Sequence, residues 1–280
     1  MGAGAAVNLL NIDTLKAELG NEEETGLMPL LFLAHGSPMN ALADNEFTQS
    51  LKALGKTLPK PKVIITVSAH WLTRGTFVTA KKFPQTIHDF GGFPEPLFKV
   101  KYPAPGSPEM AEMVTTITKD INIGMDYDWG LDHGTWSVLK HLYPEADVPV
   151  IQLSIDYYKP VQYHYELAAQ LKGLRKKGVL IVGSGNITHN FNHMDWNTNA
   201  KPYDWVLEFD NRVKEYVKNG DHNPLINYQK LPNANLAIPT NDHYLPLIYT
   251  LGLQYPNEMV TFPYEGIQNA GFSMRCIKIG

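Results

Sequence analysis

The sequence predicts a single α/β domain with a central, mostly parallel β-sheet and helices on both of its faces. Short apolar, β-branched runs recur along the chain and have the pattern of strands covered on both sides. These runs are Leu27–Ala34, Val63–Val67, Pro149–Ser154 and Val179–Gly183. Between and after them lie the helical candidates Phe47–Leu54, Pro108–Lys119, Val161–Lys177 and Pro202–Asn219. Alternation of strands and helices is typical of a parallel sheet whose ligands bind at the carboxyl ends of the strands.

The chain ends in two further predicted strands, Met259–Phe262 and Phe272–Ile279, which we expect to be antiparallel neighbours. Pro263 cannot donate a backbone hydrogen bond to a ladder, so it should mark the end of the first of them. The Pro- and Gly-rich stretch Phe83–Pro108 reads as a long structured loop, and such loops are usually functional. Residues 26–280 are therefore predicted to be one catalytic domain, preceded by a peripheral or partly disordered arm over residues 1–25.

Composition excludes several classes of protein. The 280 residues are 44% hydrophobic and 19% charged, which supports a sizeable core, and the net charge of −4 gives no reason to expect nucleic acid. The longest apolar runs are too short to span a bilayer. Cys276 is the only cysteine, so an internal disulfide and a thiolate zinc site are both excluded, and we expect this residue to be buried on the last strand.

The same cysteine usage favours a reducing, cytoplasmic location. Residues Gly2–Leu10 are small and apolar, but no Lys or Arg precedes them, so they do not form a secretory signal as written. A periplasmic location would follow only if an export signal were missing from this sequence. No feature of the sequence indicates an oligomeric state.

Three histidines directly follow predicted strands. His35, His70 and His189 come just after the first, second and fourth of the apolar runs. One histidine in such a place is most often a hydrogen-bonding loop residue. Three of them, each near Gly, Ser or Ala, indicate a shared site at one edge of the sheet, because the carboxyl ends of parallel strands meet there. No local metal-binding motif such as His-Glu-x-x-His supports this on its own.

Two more histidines are candidates. Thr240 or Asn241 can cap a helix beginning around Asp242, which would place His243 in the first helical turn, and a surface histidine is an equally good interpretation. His133 follows Asp132 in an aromatic, glycine-bounded loop, as either a positioned acid–base group or a turn residue.

The remaining histidines carry no predicted chemistry. The loop Thr86–Pro94 could line a pocket with its aromatic rings, although a structural role is the stronger interpretation. The other four lie in helical or polar surface contexts: His141, His164, His193 and His222.

Seven segments, taken in order, carry a family resemblance. They are His35–Met39, Ser68–Trp71, His88–Pro94, Tyr102–Gly106, Asp132–Trp136, Ser184–Asn190 and Asp242–Pro246. With these segments the chain resembles the 4,5-DOPA dioxygenase extradiol family, within the LigB-type (class III) ring-cleaving dioxygenases. The resemblance runs from about Met28 to Gly280 and leaves only the N-terminal arm outside.

The resemblance implies a role for each histidine. His35, His70 and His243 match the metal ligands of the family. His189 matches its acid–base histidine, which in some metal-loaded states also approaches the metal as a fourth ligand. His133 matches a histidine that contacts substrate or bound oxygen. Weaker matches place Asp132, Ser37 and Asn186 in the substrate pocket.

The ligand set implied by the resemblance bears on the metal. Most extradiol enzymes use two histidines and one carboxylate, whereas His243 is neutral, so the centre would be one unit more positive. We expect one divalent metal per chain, with Fe(II) required for activity. Three imidazoles with an open position also suit Zn(II), so the metal found in isolated protein need not be the one that supports activity.

The leading hypothesis is an Fe(II) extradiol dioxygenase that opens a small, DOPA-like catechol with O2 to give a muconic semialdehyde. His189 would remove a hydroxyl proton and His133 would steady the developing oxygen anion. The alternative is a zinc hydrolase that uses a hydroxide held by three histidines, with His189 as proton shuttle. A protein that stores metal without turnover is a weaker third. An amino-acid substrate would need a cation to bind its carboxylate, and the sequence does not single one out. The candidates are Arg74, Lys81 and Lys82.

Overall fold

The structure is a computed structural model that describes residues 26–280, so the predicted N-terminal arm lies outside the described residues. Its strands are β1 (Leu30–Ala34), β2 (Val63–Thr73), β3 (Thr76–Thr79), β4 (Ile123–Asp126), β5 (Val150–Asp156), β6 (Val179–Gly185), β7 (Val260–Tyr264), β8 (Ile267–Gln268), β9 (Phe272–Ser273) and β10 (Cys276–Ile279). Eight of them form one sheet in the order β4-β3-β5-β2-β6-β1-β10-β7.

The centre of this sheet is parallel and its ends are mixed. β5, β2, β6 and β1 pair in parallel, while β10 and β7 are added antiparallel at one end. At the other end β3 is antiparallel to β5 and parallel to β4. The predicted single α/β domain with a mostly parallel, mixed sheet is confirmed.

Helices cover both faces of the sheet. They are α1 (Glu46–Thr57), α2 (Glu95–Phe98), α3 (Pro108–Ile117), α4 (His133–Leu142), α5 (Val161–Leu171), α6 (Asp204–Lys218), α7 (Asn223–Ile226), α8 (Ala234–Ala237) and α9 (Leu245–Gly252). Successive residues of a strand point to opposite faces, and β1 shows this directly. Leu30 and Phe32 belong to one hydrophobic cluster, whereas Leu31 and Leu33 belong to another. None of the helices within residues 26–280 is long and apolar enough to cross a membrane.

Several predicted boundaries were wrong. β2 continues to Thr73, so His70 lies within the strand, where the register with β5 shifts between Val67 and Leu72. Pro263 lies inside β7 and does not end it, which is tolerated because β7 is an edge strand. The predicted strand Phe272–Ile279 is interrupted, and its first part, β9, pairs with β8 in a separate two-stranded sheet.

Helix starts near the histidines also differ from the prediction. The helix expected around Asp242 begins at Leu245 with a proline in its first turn, so His243 lies in the preceding turn. His133 is the first residue of α4, which the sequence did not predict as a helix. His164 is fully buried in α5 and not on a polar surface, and His141 is also buried.

Candidate active site

Five histidines meet at the carboxyl edge of the parallel strands. His35 follows β1 directly, His70 lies near the end of β2, and His133 opens α4. His189 follows β6, and His243 precedes α9. The ring centroids of His35 and His70 are 4.8 Å apart, and those of His70 and His133 are 3.8 Å apart. The predicted convergence of strand ends therefore brings all five candidates into one cluster, which we call the histidine cluster.

His243 completes the cluster on the side of β6. Its ring centroid lies 5.1 Å from that of His35 and 5.0 Å from that of His70. The backbone N–H of Asn186 donates to the His243 carbonyl at 2.9 Å, and Gly185 approaches the same carbonyl so closely that a Cβ there would lie 2.1 Å from its oxygen. Glycine at position 185 is thus needed to bring the His243 turn against the end of β6.

His189 stacks on this group. Its ring lies 3.5 Å from the ring of His243 at an interplanar angle of 5°, and 4.7 Å from the ring of Phe272 at 15°. Its backbone N–H donates to Ala237 at 2.9 Å, which holds the loop after β6 against α8. His189 is half-buried and sits at the outer side of the cluster.

Hydrogen bonds assign the tautomers of three rings. The Ser184 hydroxyl donates to the Gly134 carbonyl at 2.6 Å, so it accepts from Nδ1–H of His35 at 3.0 Å. A carboxylate oxygen of Asp89 lies 2.9 Å from Nδ1 of His133, and Asp242 contacts Nδ1 of His243. Carboxylates accept only, so Nδ1 of His133 and Nδ1 of His243 each carry a proton that is donated to the carboxylate.

Burial favours the neutral form of four of the five histidines. The pKa of His35 and that of His243 lie well below the ordinary value. Burial is the main cause, and the neighbouring histidines lower both values further. Desolvation also lowers the pKa of His70 to about 3 and that of His189 to about 4. Neutral imidazole is the form that binds metals and accepts protons. Nε2 of His35 lies 3.0 Å from Nε2 of His70, a separation that suits two nitrogens sharing one cation.

The closest set of possible ligand atoms is not the predicted one. One nitrogen from each of His35, His70 and His133 lies within 4.8 Å of the others, and they form the metal-competent group found among the described residues. His243, the third ligand implied by the resemblance, is outside that group although its ring faces the same cluster. Three imidazole nitrogens fit a divalent metal in either case.

Asp89 is a site residue that the sequence reasoning did not single out. One of its oxygens accepts the backbone N–H of His133 at 2.8 Å, and the other lies 2.9 Å from Nδ1 of His133 and 3.5 Å from Nδ1 of His70. Burial raises the pKa of Asp89, but the hydrogen bonds from His133 and the electrostatic effects of His133 and His70 together outweigh burial, so the net pKa shift is downward. The only signal in the sequence is its place in the aromatic loop Thr86–Pro94, for which a structural role is the stronger interpretation.

The weaker pocket candidates have largely structural positions. Asp132 is fully buried, and its carboxylate caps α4. The carboxylate also accepts hydrogen bonds from Ser68 and Gln152, each at 2.7 Å, so it holds the start of α4 in place beside the cluster. The Asn186 side chain bonds Gly36 and Ser273 and is also buried. Ser37 is half-buried and caps the short helix that follows it.

Aromatic rings flank the cluster on two sides. Phe90 meets the ring of His133 edge-on at 5.4 Å and packs against Phe93 and Phe98. On the other side Phe191 meets the ring of His189 edge-on at 4.7 Å and is 68% exposed. Apolar walls of this kind suit a flat aromatic ligand beside a polar centre.

The candidate carboxylate-binding cations lie on the surface or have other contacts. The guanidinium of Arg74 stacks 4.7 Å over the ring of Tyr158, Lys81 donates to the Asp128 carbonyl at 2.9 Å, and Lys82 lies 5.7 Å from the ring of Phe83. None of these contacts connects them to the histidine cluster.

Comparison with known proteins agrees with this geometry. Residues 29–272 match the family described as the catalytic LigB subunit of aromatic ring-opening dioxygenase. The chain is 47% identical to a 4,5-DOPA dioxygenase extradiol of Escherichia coli K12, over 90% of this chain and 95% of that protein. It is 37% identical to a 4,5-DOPA dioxygenase extradiol of Beta vulgaris, over 87% of this chain and 94% of that protein.

A solved structure shows the same fold. The crystal structure of an uncharacterized protein from Escherichia coli K12 superposes with a TM-score of 0.79 at 42% identity, and covers 90% of this chain and 100% of that one. A histidine cluster at the carboxyl edge of the sheet, a family match over most of the chain and close relatives together lead to one conclusion. The chain belongs to the LigB family and is an extradiol aromatic ring-opening dioxygenase.

Proposed function

We propose that the enzyme uses Fe(II) and O2 to open the ring of a small, DOPA-like catechol beside its diol, giving a muconic semialdehyde. The observation that carries this proposal is the histidine cluster itself, in which imidazole nitrogens converge between two aromatic walls. The nitrogens would hold a metal to which the diol oxygens could bind. The aromatic walls would receive the ring.

Our assignment of the metal ligands is His35, His70 and His243, with His189 as base or fourth ligand. His133 is the competing third ligand, because its nitrogen is among the three that approach most closely. When bound, a divalent iron ion would bring catechol and O2 together and allow electrons to pass between them. Zn(II) would also fit these imidazoles, and it could occupy the site in the purified protein.

The protein side chains would move the protons. His189 has its pKa lowered to about 4 by burial, so it is neutral near pH 7 and able to accept a hydroxyl proton. His133, with Nδ1 held by Asp89, would leave Nε2 available to contact substrate or bound oxygen. Phe90 and Phe191 would hold the ring and exclude water.

A catechol that carries an amino-acid carboxylate needs a cation at the rim. The name DOPA belongs to the relatives, and we extend it to this chain as part of the proposal. Arg74 is our candidate, because it directly follows β2, the strand that carries His70. Its guanidinium stacks on Tyr158, and the residue is exposed.

The test is anaerobic reconstitution of the full chain with Fe(II), followed by addition of DOPA or unsubstituted catechol and then air. We expect oxygen uptake with one O2 consumed per catechol and a yellow product, and none of this from zinc-loaded protein. An inactive iron form together with ester hydrolysis by the zinc form would overturn the proposal in favour of a zinc hydrolase, which three imidazoles also permit.

A further inference from the structure

The carboxylate of Asp89 has an unusual position in the histidine cluster because it contacts two of the histidines. It lies 2.9 Å from Nδ1 of His133 and 3.5 Å from Nδ1 of His70, and its other oxygen accepts the backbone N–H of His133 at 2.8 Å. The side chain is only 15% exposed. Both oxygens are thus committed to donors of the protein, and neither faces solvent freely.

The loop that carries Asp89 is held by hydrogen bonds of the two residues just before it. The Trp136 indole N–H donates to the Ile87 carbonyl at 2.7 Å, and the Ile87 N–H donates to Leu131 at 2.7 Å. The His88 ring is 3.0 Å from the Val100 carbonyl. These bonds tie the loop to α4 and to the residues just before it, so the carboxylate and His133 are positioned by the same element.

We propose that Asp89 is a positioning residue that fixes His133 in its Nδ1–H tautomer, so that Nε2 meets the cluster as a lone pair. A neutral imidazole has one donor and one acceptor nitrogen, and the partner of one nitrogen decides the state of the other. The two-point contact, ring and backbone, also sets the orientation of the ring. The effect on turnover rests on the proposed function, whereas the tautomer does not.

Asp89→Asn is the informative change because it keeps the size and removes one acceptor. The amide has one oxygen and one NH2 group, while His133 presents two N–H donors in the wild type. If the oxygen keeps the backbone N–H, the NH2 group faces Nδ1, which must then give up its proton. The proton moves to Nε2, and the nitrogen facing the cluster becomes a donor.

The direct test is long-range ¹H–¹⁵N NMR of the full chain with ¹⁵N-labelled histidine. Spectra are recorded after chelation, because a metal on Nε2 would itself fix the tautomer, and the His133 signals are assigned with His133→Gln. We expect Nδ1–H in wild type and Nε2–H, or a mixture, in Asp89→Asn. Asp126→Asn is the matched control, since Asp126 accepts two backbone N–H groups remote from the cluster. Nε2–H in the wild type would overturn the proposal, and so would an unchanged tautomer in Asp89→Asn.

Measurement of turnover is the second test. In iron-loaded protein kcat of Asp89→Asn should fall by roughly 10²–10⁴-fold, with KM little changed, as expected when a catalytic histidine is held in the wrong tautomer. Asp89→Glu, which retains the carboxylate, should restore the Nδ1–H tautomer and part of kcat. A normal kcat in Asp89→Asn with a switched tautomer would remove His133 from the reaction. If wild type opens no catechol, the proposed function fails while the NMR result still decides the role of Asp89.

Discussion

At the residue scale, His189 differs from the other clustered histidines in what holds it. Its ring is placed by stacking between His243 and Phe272, whereas hydrogen bonds fix the rings of His35, His133 and His243. A ring held by stacking keeps both nitrogens available for a proton. This favours the acid–base role over that of a fourth ligand.

We therefore expect His189→Ala to retain most of its metal and to bind catechol, yet to lose turnover. General acid–base catalysis contributes about 10²–10⁴-fold, so kcat should fall within that range while KM changes little. The defect should shrink at high pH, where catechol ionises without help. Oxygen uptake and elemental analysis measure the two properties, and His193→Ala, an exposed neighbour, is the control. Loss of metal together with activity would make His189 a ligand.

The third metal ligand is the other question at this scale. If His243 binds the metal and His133 does not, His243→Ala should lose most of its bound metal in elemental analysis while His133→Ala keeps it. Removing one of three ligands leaves two imidazoles, too few for a stable site. Because the two variants delete the same group from the same cluster, each controls for the other. The reverse pattern would assign the site to His35, His70 and His133.

At the scale of elements, the start of α4 supports the site by packing tightly against β2. A Cβ on Gly134 would lie 2.4 Å from Oγ of Ser68 and 3.0 Å from the His70 ring. Gly134 also accepts the Ser184 hydroxyl that orients His35. The helix can approach β2 this closely only because position 134 has no side chain.

Gly134→Ala should therefore lower both stability and metal content. Overpacking of this kind costs roughly 1–3 kcal/mol of unfolding free energy, and displacement of His70 should weaken metal binding. Urea unfolding and elemental analysis measure the two effects. Gly173→Ala is the matched control, because a Cβ there meets nothing within 4 Å and the substitution should be neutral or slightly stabilising. Equal behaviour of the two variants would contradict the packing argument.

The elements that can be predicted from the sequence share a physical feature. Buried parallel strands such as Val179–Gly183 are continuous apolar runs that a sequence shows directly. α4 has no such signal, since its ten residues are nearly all buried and show no polar face. Asp89 could not be found because its role depends on contacts with residues 19 or more positions away along the chain. The bulge that places His70 inside β2 depends likewise on pairing with β5.

At the scale of the whole molecule, buried histidines with a lowered pKa also occur outside the site. His164 lies in α5, where its Nδ1 is 3.0 Å from the Tyr249 hydroxyl of α9, and its Nε2 has no hydrogen-bond partner among the described residues. Burial lowers the pKa of His164 to about 4. Within the cluster, the pKa values of His35, His70, His189 and His243 are also depressed.

These shifts set the direction of the pH dependence. A depressed histidine is neutral in the folded state, while the unfolded chain takes up a proton below about pH 6.5. The unfolded state then binds more protons, so the free energy of unfolding should fall as the pH drops from 6.5 toward 4. The same proton uptake would compete with a metal in the cluster, so acid should release metal and destabilise the fold together.

His164 allows this to be tested away from the metal, because it belongs to the α5–α9 contact and not to the cluster. Between pH 7 and pH 5 one such group contributes roughly 2 kcal/mol of lost stability. His164→Gln, which cannot titrate and can still bond Tyr249, should lose that much less than wild type over this interval, by urea unfolding in the presence of a chelator. His193→Gln, at an exposed histidine, should follow wild type. If His164→Gln shows the full wild-type loss, the pKa of His164 is not depressed in the folded protein, and the acid sensitivity of the molecule belongs to the histidine cluster.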